Sequence, residues 1–126
     1  MILVFGGAYQ GKLDFVKEQF QVSDDDCLFC DENTKSLVTD KAVIYGLERF
    51  TRTFAEREEA CKPYLEENLE ALKDKIIICN DISCGLVPMD KIDRFWREMN
   101  GRSMNYLASQ ADEVYRVFCG IGSKVK

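Results

Sequence analysis

Residues 1–13 read MILVFGGAYQGKL, and how this stretch is taken decides the fold. Residues 1–5 form an uninterrupted apolar run closed by Gly6-Gly7, which suits a short strand buried on both faces of a sheet. From Gly6 to Lys12 the spacing is G-x-x-x-x-G-K. Glycines at these places let the backbone curl until successive N–H groups point inward at phosphate oxygens. A helix over residues 12–20 adds the positive end of its dipole, and Lys12 adds a point charge. The expected nucleotide-binding segment is therefore Gly6, Gly7, Ala8, Tyr9, Gln10, Gly11, Lys12 and Leu13, with Lys12 also the candidate for any chemical step. A plain glycine turn beside a surface lysine is the competing reading; the flanking strand and helix favour the phosphate loop. Leu13 breaks the pattern, because the serine or threonine usual there is a magnesium ligand. Leucine offers no lone pair, so magnesium is expected only through the nucleotide and water.

Working outward, short apolar runs recur at residues 27–30 (CLFC), 42–45 (AVIY), 75–80 (KIIICN) and 113–120 (EVYRVFCG). Each is a strand candidate. Phe15, Val16 and Phe20 share one stripe of the first helix. Residues 47–73 are charged and helix-prone, and Pro63 predicts two helices or a kinked one. After the loop DISCGLVP, Pro88 stands where a first helical turn accepts proline. Ile92, Phe95, Trp96, Met99, Leu107, Ala108 and Ala111 keep helical spacing, loosened at Asn100-Gly101. Strands alternating with amphipathic helices predict a three-layer α/β fold with a mainly parallel sheet, and 126 residues suit one domain over 1–126.

The net charge of −5 lacks the basic stripe a nucleic-acid surface needs. No apolar stretch is long enough for a signal-peptide core or a membrane span. The expectation is a cytoplasmic protein with neither nucleic-acid nor membrane partners. Six cysteines without a secretory signal are expected to be reduced and mostly buried. Cys27-x-x-Cys30 has the spacing of a redox or zinc pair. Zinc wants about four ligands, no second pair exists, and core thiols are the better expectation. The chain has no histidine, which removes the commonest general base and metal ligand. Residues 24–26 (DDD) read as a solvated turn, and residues 56–75 as a solvated helical face with i,i+4 pairs.

Residues 79–126, beginning CNDISCGLVPMDKIDRFW, resemble the end of the bifunctional adenosylcobinamide kinase/adenosylcobinamide-phosphate guanylyltransferase family. There a strand ends in Thr-Asn-Glu, a Val-Gly-x-Gly-Ile-Val-Pro loop follows, then a long helix, Ala-Asp-Glu-Val, and a strand ending in Gly-Ile. The matching pieces are Asn80-Asp81, Gly85-Leu86-Val87-Pro88, Ala111-Asp112-Glu113-Val114 and Gly120-Ile121. The opening is similar to the family's Gly-Gly-Ala-Arg-Ser-Gly-Lys-Ser, whereas the middle of the chain is shortened. The resemblance implies a P-loop NTPase-like, RecA-like fold, GTP or ATP as the nucleotide, cobinamide as a candidate partner in cobalamin biosynthesis, and a homo-oligomer, commonly a trimer. It also implies kinase-type phosphoryl transfer and guanylyl transfer through a histidine, which this polypeptide lacks. A family acid that follows the strand resembling AVIY is replaced by Gly46, with Glu48 nearby; Asp81 keeps a carboxylate where the family has glutamate. The stripe with Phe95, Trp96 and Met99 is expected to be core rather than a corrinoid or partner surface. Two functional readings stay open: a diverged kinase/nucleotidyltransferase-type enzyme, and a non-catalytic nucleotide-binding regulatory or assembly protein.

Overall fold

A computed structural model describes residues 1–83 and 89–126. Its strands are β1 (Ile2–Gly6), β2 (Cys27–Phe29), β3 (Val43–Tyr45), β4 (Ile76–Asn80), β5 (Glu113–Phe118) and β6 (Ile121–Lys124). Its helices are α1 (Lys12–Phe20), α2 (Leu47–Glu56), α3 (Lys62–Glu67), α4 (Leu69–Leu72) and α5 (Lys91–Gln110). The strands form one sheet in the order β2-β3-β4-β1-β5-β6. The first five are parallel and β6 pairs antiparallel with β5. β1 thus lies between β4 and β5, as its apolar run predicts.

The pleat explains the three layers. Alternate residues of a strand face opposite sides. Leu3, Ile44, Ile77 and Val114 face a core shared with Leu47, Phe50, Leu65, Leu72, Met99 and Leu107 of α2 to α5. Val4, Val43, Ile76, Ile78 and Val117 face Val16 of α1, flanked by Leu13, Phe15 and Phe20. Leu3 and Val4 are both essentially sealed from water, each stabilising the fold by roughly 1.5–3 kcal/mol relative to exposure. The expected three-layer α/β architecture with a mainly parallel sheet is the one adopted.

The expected division into separate helices near Pro63 is present: the chain leaves α2 at Glu56, and the proline stands in the first turn of α3, where its missing N–H costs nothing. Two details depart from the sequence expectations. The helix is not loosened at Asn100-Gly101: α5 runs unbroken from Lys91 to Gln110, capped by the Asp90 carboxylate, which accepts from the Ile92 and Asp93 amides. The last apolar run ends at Phe118, and the chain turns through Cys119-Gly120 into β6. Residues 24–26 form an exposed or half-exposed single 3-10 turn closed by a Ser23–Asp26 capping box. The expectations for Cys84, for the Gly85-Leu86-Val87-Pro88 loop and for Pro88 as a helix start lie outside the described residues. Among the described residues, no helix is long and apolar enough to cross a membrane.

Candidate functional site

Parallel α/β sheets place ligands at the carboxyl ends of their strands, where the connections diverge. Here β1 connects through α1 toward one sheet edge, while β4 connects through α5 to the other side of β1. Gly6, the last residue of β1, is in register with Asn80, the last of β4. The Asp81 amide donates to the Gly6 carbonyl at 2.8 Å, and the Gly46 amide donates to the Ile78 carbonyl at 3.0 Å. These contacts bring the ends of β1, β3 and β4 together.

The loop expected to hold phosphate leaves this edge. A Cβ on Gly6 would stand 2.4 Å from the Val117 carbonyl oxygen, so only glycine lets β5 come this close. Gly11 precedes α1 in the left-handed region at φ 83°, with a virtual Cβ 3.2 Å from the Gly120 Cα. Gln10 ties the loop to the β5–β6 turn: its carbonyl accepts from the Gly120 amide at 2.8 Å and its Oε1 from the Cys119 amide at 2.7 Å. Tyr9, at φ 61°, projects fully into solvent, and Ala8 is exposed beside it. Among the described residues, the N–H groups of Gly7, Ala8, Tyr9 and Gly11 donate to no protein acceptor. These are donors of the kind that bind phosphate oxygens in such loops.

Lys12 is 5 % exposed, and its ammonium donates to the Gly7 carbonyl at 2.7 Å across the mouth of the loop. Burial pushes this ammonium below the usual lysine range, while Glu48 and Cys79 pull the other way. Leu13, the departure from the motif, packs its side chain with Val16 and Phe15 beneath the sheet. It is a packing residue, and its side chain brings no oxygen to the site.

Glu48 enters from the first turn of α2. It is 8 % exposed, and its Oε1 accepts from the Asn80 amide at 2.9 Å. Its Oε2 makes no hydrogen bond among the described residues. A buried polar cluster fixes the turn that carries it. Trp96 Nε1 donates to the Glu48 carbonyl at 2.9 Å and lies 3.1 Å from Thr51 Oγ1. The Thr51 hydroxyl reaches Asn100 Oδ1 at 2.8 Å, and Asn100 Nδ2 donates to the Asn80 carbonyl at 3.4 Å. The residue expected to loosen α5 therefore joins α5, α2 and β4 under the site. The signal was present: Trp96, Asn100, Ser103 and Leu107 follow one helical stripe, and a polar residue on a buried stripe needs partners.

Beside Glu48 opens a cleft of about 480 Å³, lined by Glu48, Asn80, Arg49, Arg52 and Trp96 among others. Trp96 and Phe95 are half-buried and Met99 is buried, all packed against the core. Trp96 also lines this cleft, with the Arg52 guanidinium 5.1 Å over its ring. Arg52 is itself paired with Asp93 and with Glu56 at 3.2 Å. The Asp81 carboxylate accepts from the Ser83 amide at 3.0 Å and from its hydroxyl. Cys27 and Cys30 are buried, and burial raises both thiols, Cys30 to about 12. Among the described residues no group of three or more carboxylate or thiol side chains could hold a metal.

Comparison with known proteins locates these features. The family model described as cobinamide kinase / cobinamide phosphate guanyltransferase matches residues 32–125. The bifunctional adenosylcobalamin biosynthesis protein CobU of Salmonella typhimurium is 39% identical over 51 residues, 40% of this chain and 28% of that protein. The protein of the same name from Escherichia coli is 37% identical over 51 residues, with the same shares. The matched segment thus spans under a third of either relative. The Gly6–Lys12 loop precedes the region matched by the family model.

Proposed function

Because the chain belongs to the cobinamide kinase / cobinamide phosphate guanyltransferase family, a family of P-loop nucleoside-triphosphatase fold, we propose that residues 6–13 bind the phosphates of GTP or ATP. The whole chain then acts as a single nucleotide-binding domain. Lys12 is the observation that carries this reading. A lysine that is 5 % exposed and held on a carbonyl of its own loop is oriented at a cost that a surface lysine in a glycine turn would not meet. On nucleotide binding, phosphate oxygens replace the Gly7 carbonyl as its acceptor, and the unspent N–H groups of the loop complete the cradle.

Kinase-type transfer to the hydroxyl of a cobinamide-class substrate is the enzymatic form of the proposal, with Lys12 neutralising charge on the phosphoryl group. The cleft beside Glu48 is where the alcohol-bearing arm would approach. Magnesium, when bound with the nucleotide, would neutralise phosphate charge; Leu13 leaves no oxygen for it on α1, so it would be held by phosphate oxygens, water and whatever carboxylate reaches it. Guanylyl transfer through a histidine is not part of the proposal, since the chain contains none. A nucleotide-binding regulatory or assembly role is the second reading, favoured by the displaced acid at Gly46. Calorimetric titration with GTP and ATP, followed by a single-turnover assay with cobinamide, separates the two. Saturable binding with transfer supports the enzyme, binding without transfer supports the regulatory protein, and no binding of either nucleotide overturns both.

A further inference from the structure

We propose that the groove between α5 and residues 58–66 is the surface through which two copies of this chain pair. This pairing is independent of the nucleotide reading. Two cavities, of about 320 and 200 Å³, open along this side of the molecule and share Phe95 in their walls. Pro63 and Met99 extend the apolar floor.

The banks of the groove carry opposite charges in matching order. Along α5 stand Lys91, Arg94, Glu98 and Arg102; along the other bank stand Glu58, Glu59, Lys62 and Glu66. Sign for sign, one bank is the reverse of the other, and all eight residues are exposed. The banks run in the same direction. Glu58 shares a wall with Lys91 and Phe95, Glu66 shares one with Arg102, and further on Leu69 shares one with Gln110. Within one chain these charges do not close across the groove. Among the described residues no ion pair joins the two banks, and Lys91, Arg94, Glu58 and Glu66 take part in none. Glu98 pairs with Arg102 on its own bank, Glu59 pairs with Arg57, and the Lys62 ammonium lies 5.6 Å over the Tyr106 ring.

A second copy, turned about a two-fold axis lying along the groove, sets each bank against its opposite. Arg102 then meets Glu66 of the second copy, Arg94 meets Glu58 or Glu59, Glu98 meets Lys62, and every contact occurs twice. A partner of one sign would satisfy one bank and be repelled by the other. A chain of net charge −5 repels its own copies, so the charge order fixes the register while the apolar floor supplies the buried area. Gly101 adds a separate observation. It stands inside α5, next to Arg102, and a Cβ there would meet nothing within 4 Å. Glycine weakens a helix interior relative to alanine, and the fold of one chain requires none at this place. It leaves room for the second copy's backbone to come close to α5. The charged stretch of α5 spans ~16 Å, so the contact is small and the pairing weak.

The test is sedimentation equilibrium of the full chain over a wide range of protein concentration, without nucleotide. The samples are the wild type, the double variants Arg94→Glu/Arg102→Glu and Glu58→Arg/Glu66→Arg, and an equimolar mixture of the two variants. The wild type should approach twice the monomer mass as concentration rises, and its dissociation constant should rise roughly tenfold between low and high salt as the charges are screened. Each variant alone should pair at least about tenfold more weakly, because like charges then face each other. The mixture should recover pairing to within about threefold of the wild type, since both bank contacts of the mixed pair are again opposite in sign. All four substituted residues are exposed, and thermal midpoints check the folds; the wild-type salt response tests the pairing without any variant. A wild type that stays monomeric at every concentration, or pairs equally at low and high salt, would overturn the proposal. So would variants that pair as the wild type does, or a mixture that stays as weak as its parts.

Discussion

Leu13 and Lys12 are neighbours with opposite assignments. Both stand in the sequence motif, yet Lys12 lies across the mouth of the loop and Leu13 turns down into the packing beneath the sheet. The serine that the motif expects would expose a hydroxyl and lose that packing. Leu13→Ser should lower stability by about 1–2 kcal/mol, read from the urea midpoint, while changing nucleotide affinity less than threefold. Asn100 is a stronger case. It is fully buried, and Asn100→Ala would take an acceptor from the Thr51 hydroxyl, which keeps the Glu48 carbonyl, and its side-chain amide donor from the Asn80 carbonyl, and leave a buried hole. A loss of about 2 kcal/mol is expected in denaturant melts. The loop glycines and Lys12 were legible in the sequence because their spacing encodes a backbone shape. Glu48 was legible only as a nearby acid. Its anchoring on Asn80 joins residues 32 apart in the chain, and no local pattern announces such a bond.

Among the elements, β1, β3 and β4 could be read from continuous apolar runs, because strands buried on both faces have few polar positions to hide them; β2 and β5 were legible from shorter runs, although Phe29, Arg116 and Phe118 are exposed. β6 was not. Its residues Ile121–Lys124 are largely exposed, with a glycine, a serine and a lysine among four residues, so neither alternation nor an apolar run marks it. Its place follows from the turn at Cys119-Gly120, which the Gly6–Lys12 loop grips through Gln10. Gln10→Ala should therefore raise amide exchange at Cys119, which loses its side-chain acceptor, while Gly120 keeps the Gln10 backbone carbonyl and β4 is unaltered; protection unchanged at Cys119 would show that the side-chain grip is not needed there. At the same junction Gly6→Ala places a methyl against the Val117 carbonyl. It should cost 1–3 kcal/mol or more, roughly the scale of a strained, overpacked site.

For the whole molecule, the reduced and mostly buried thiols expected from composition are seen for four of the five described cysteines: Cys27, Cys30, Cys61 and Cys79 are buried and Cys119 is exposed. Peptide-mapped alkylation of the folded protein at neutral pH should label Cys119 and spare those four. Burial pushes Cys30 and Cys61 up to about 12, from 9.0. The folded chain therefore keeps protons that the unfolded chain releases, so stability should fall as pH rises from about 9 toward about 12, by up to ~1.4 kcal/mol per pH unit for each thiol. Below that window these groups contribute no pH dependence. The family match covers residues 32–125, and the account of the preceding loop stands on its geometry. Its most direct test is the dissociation constant of GTP or ATP for Lys12→Ala against the wild type. Loss of the charge-assisted contact, worth ~1.5–3 kcal/mol, predicts binding weaker by roughly one to two decades. If Lys12→Ala binds as tightly as the wild type, residues 6–12 are a glycine turn, and the nucleotide reading is contradicted.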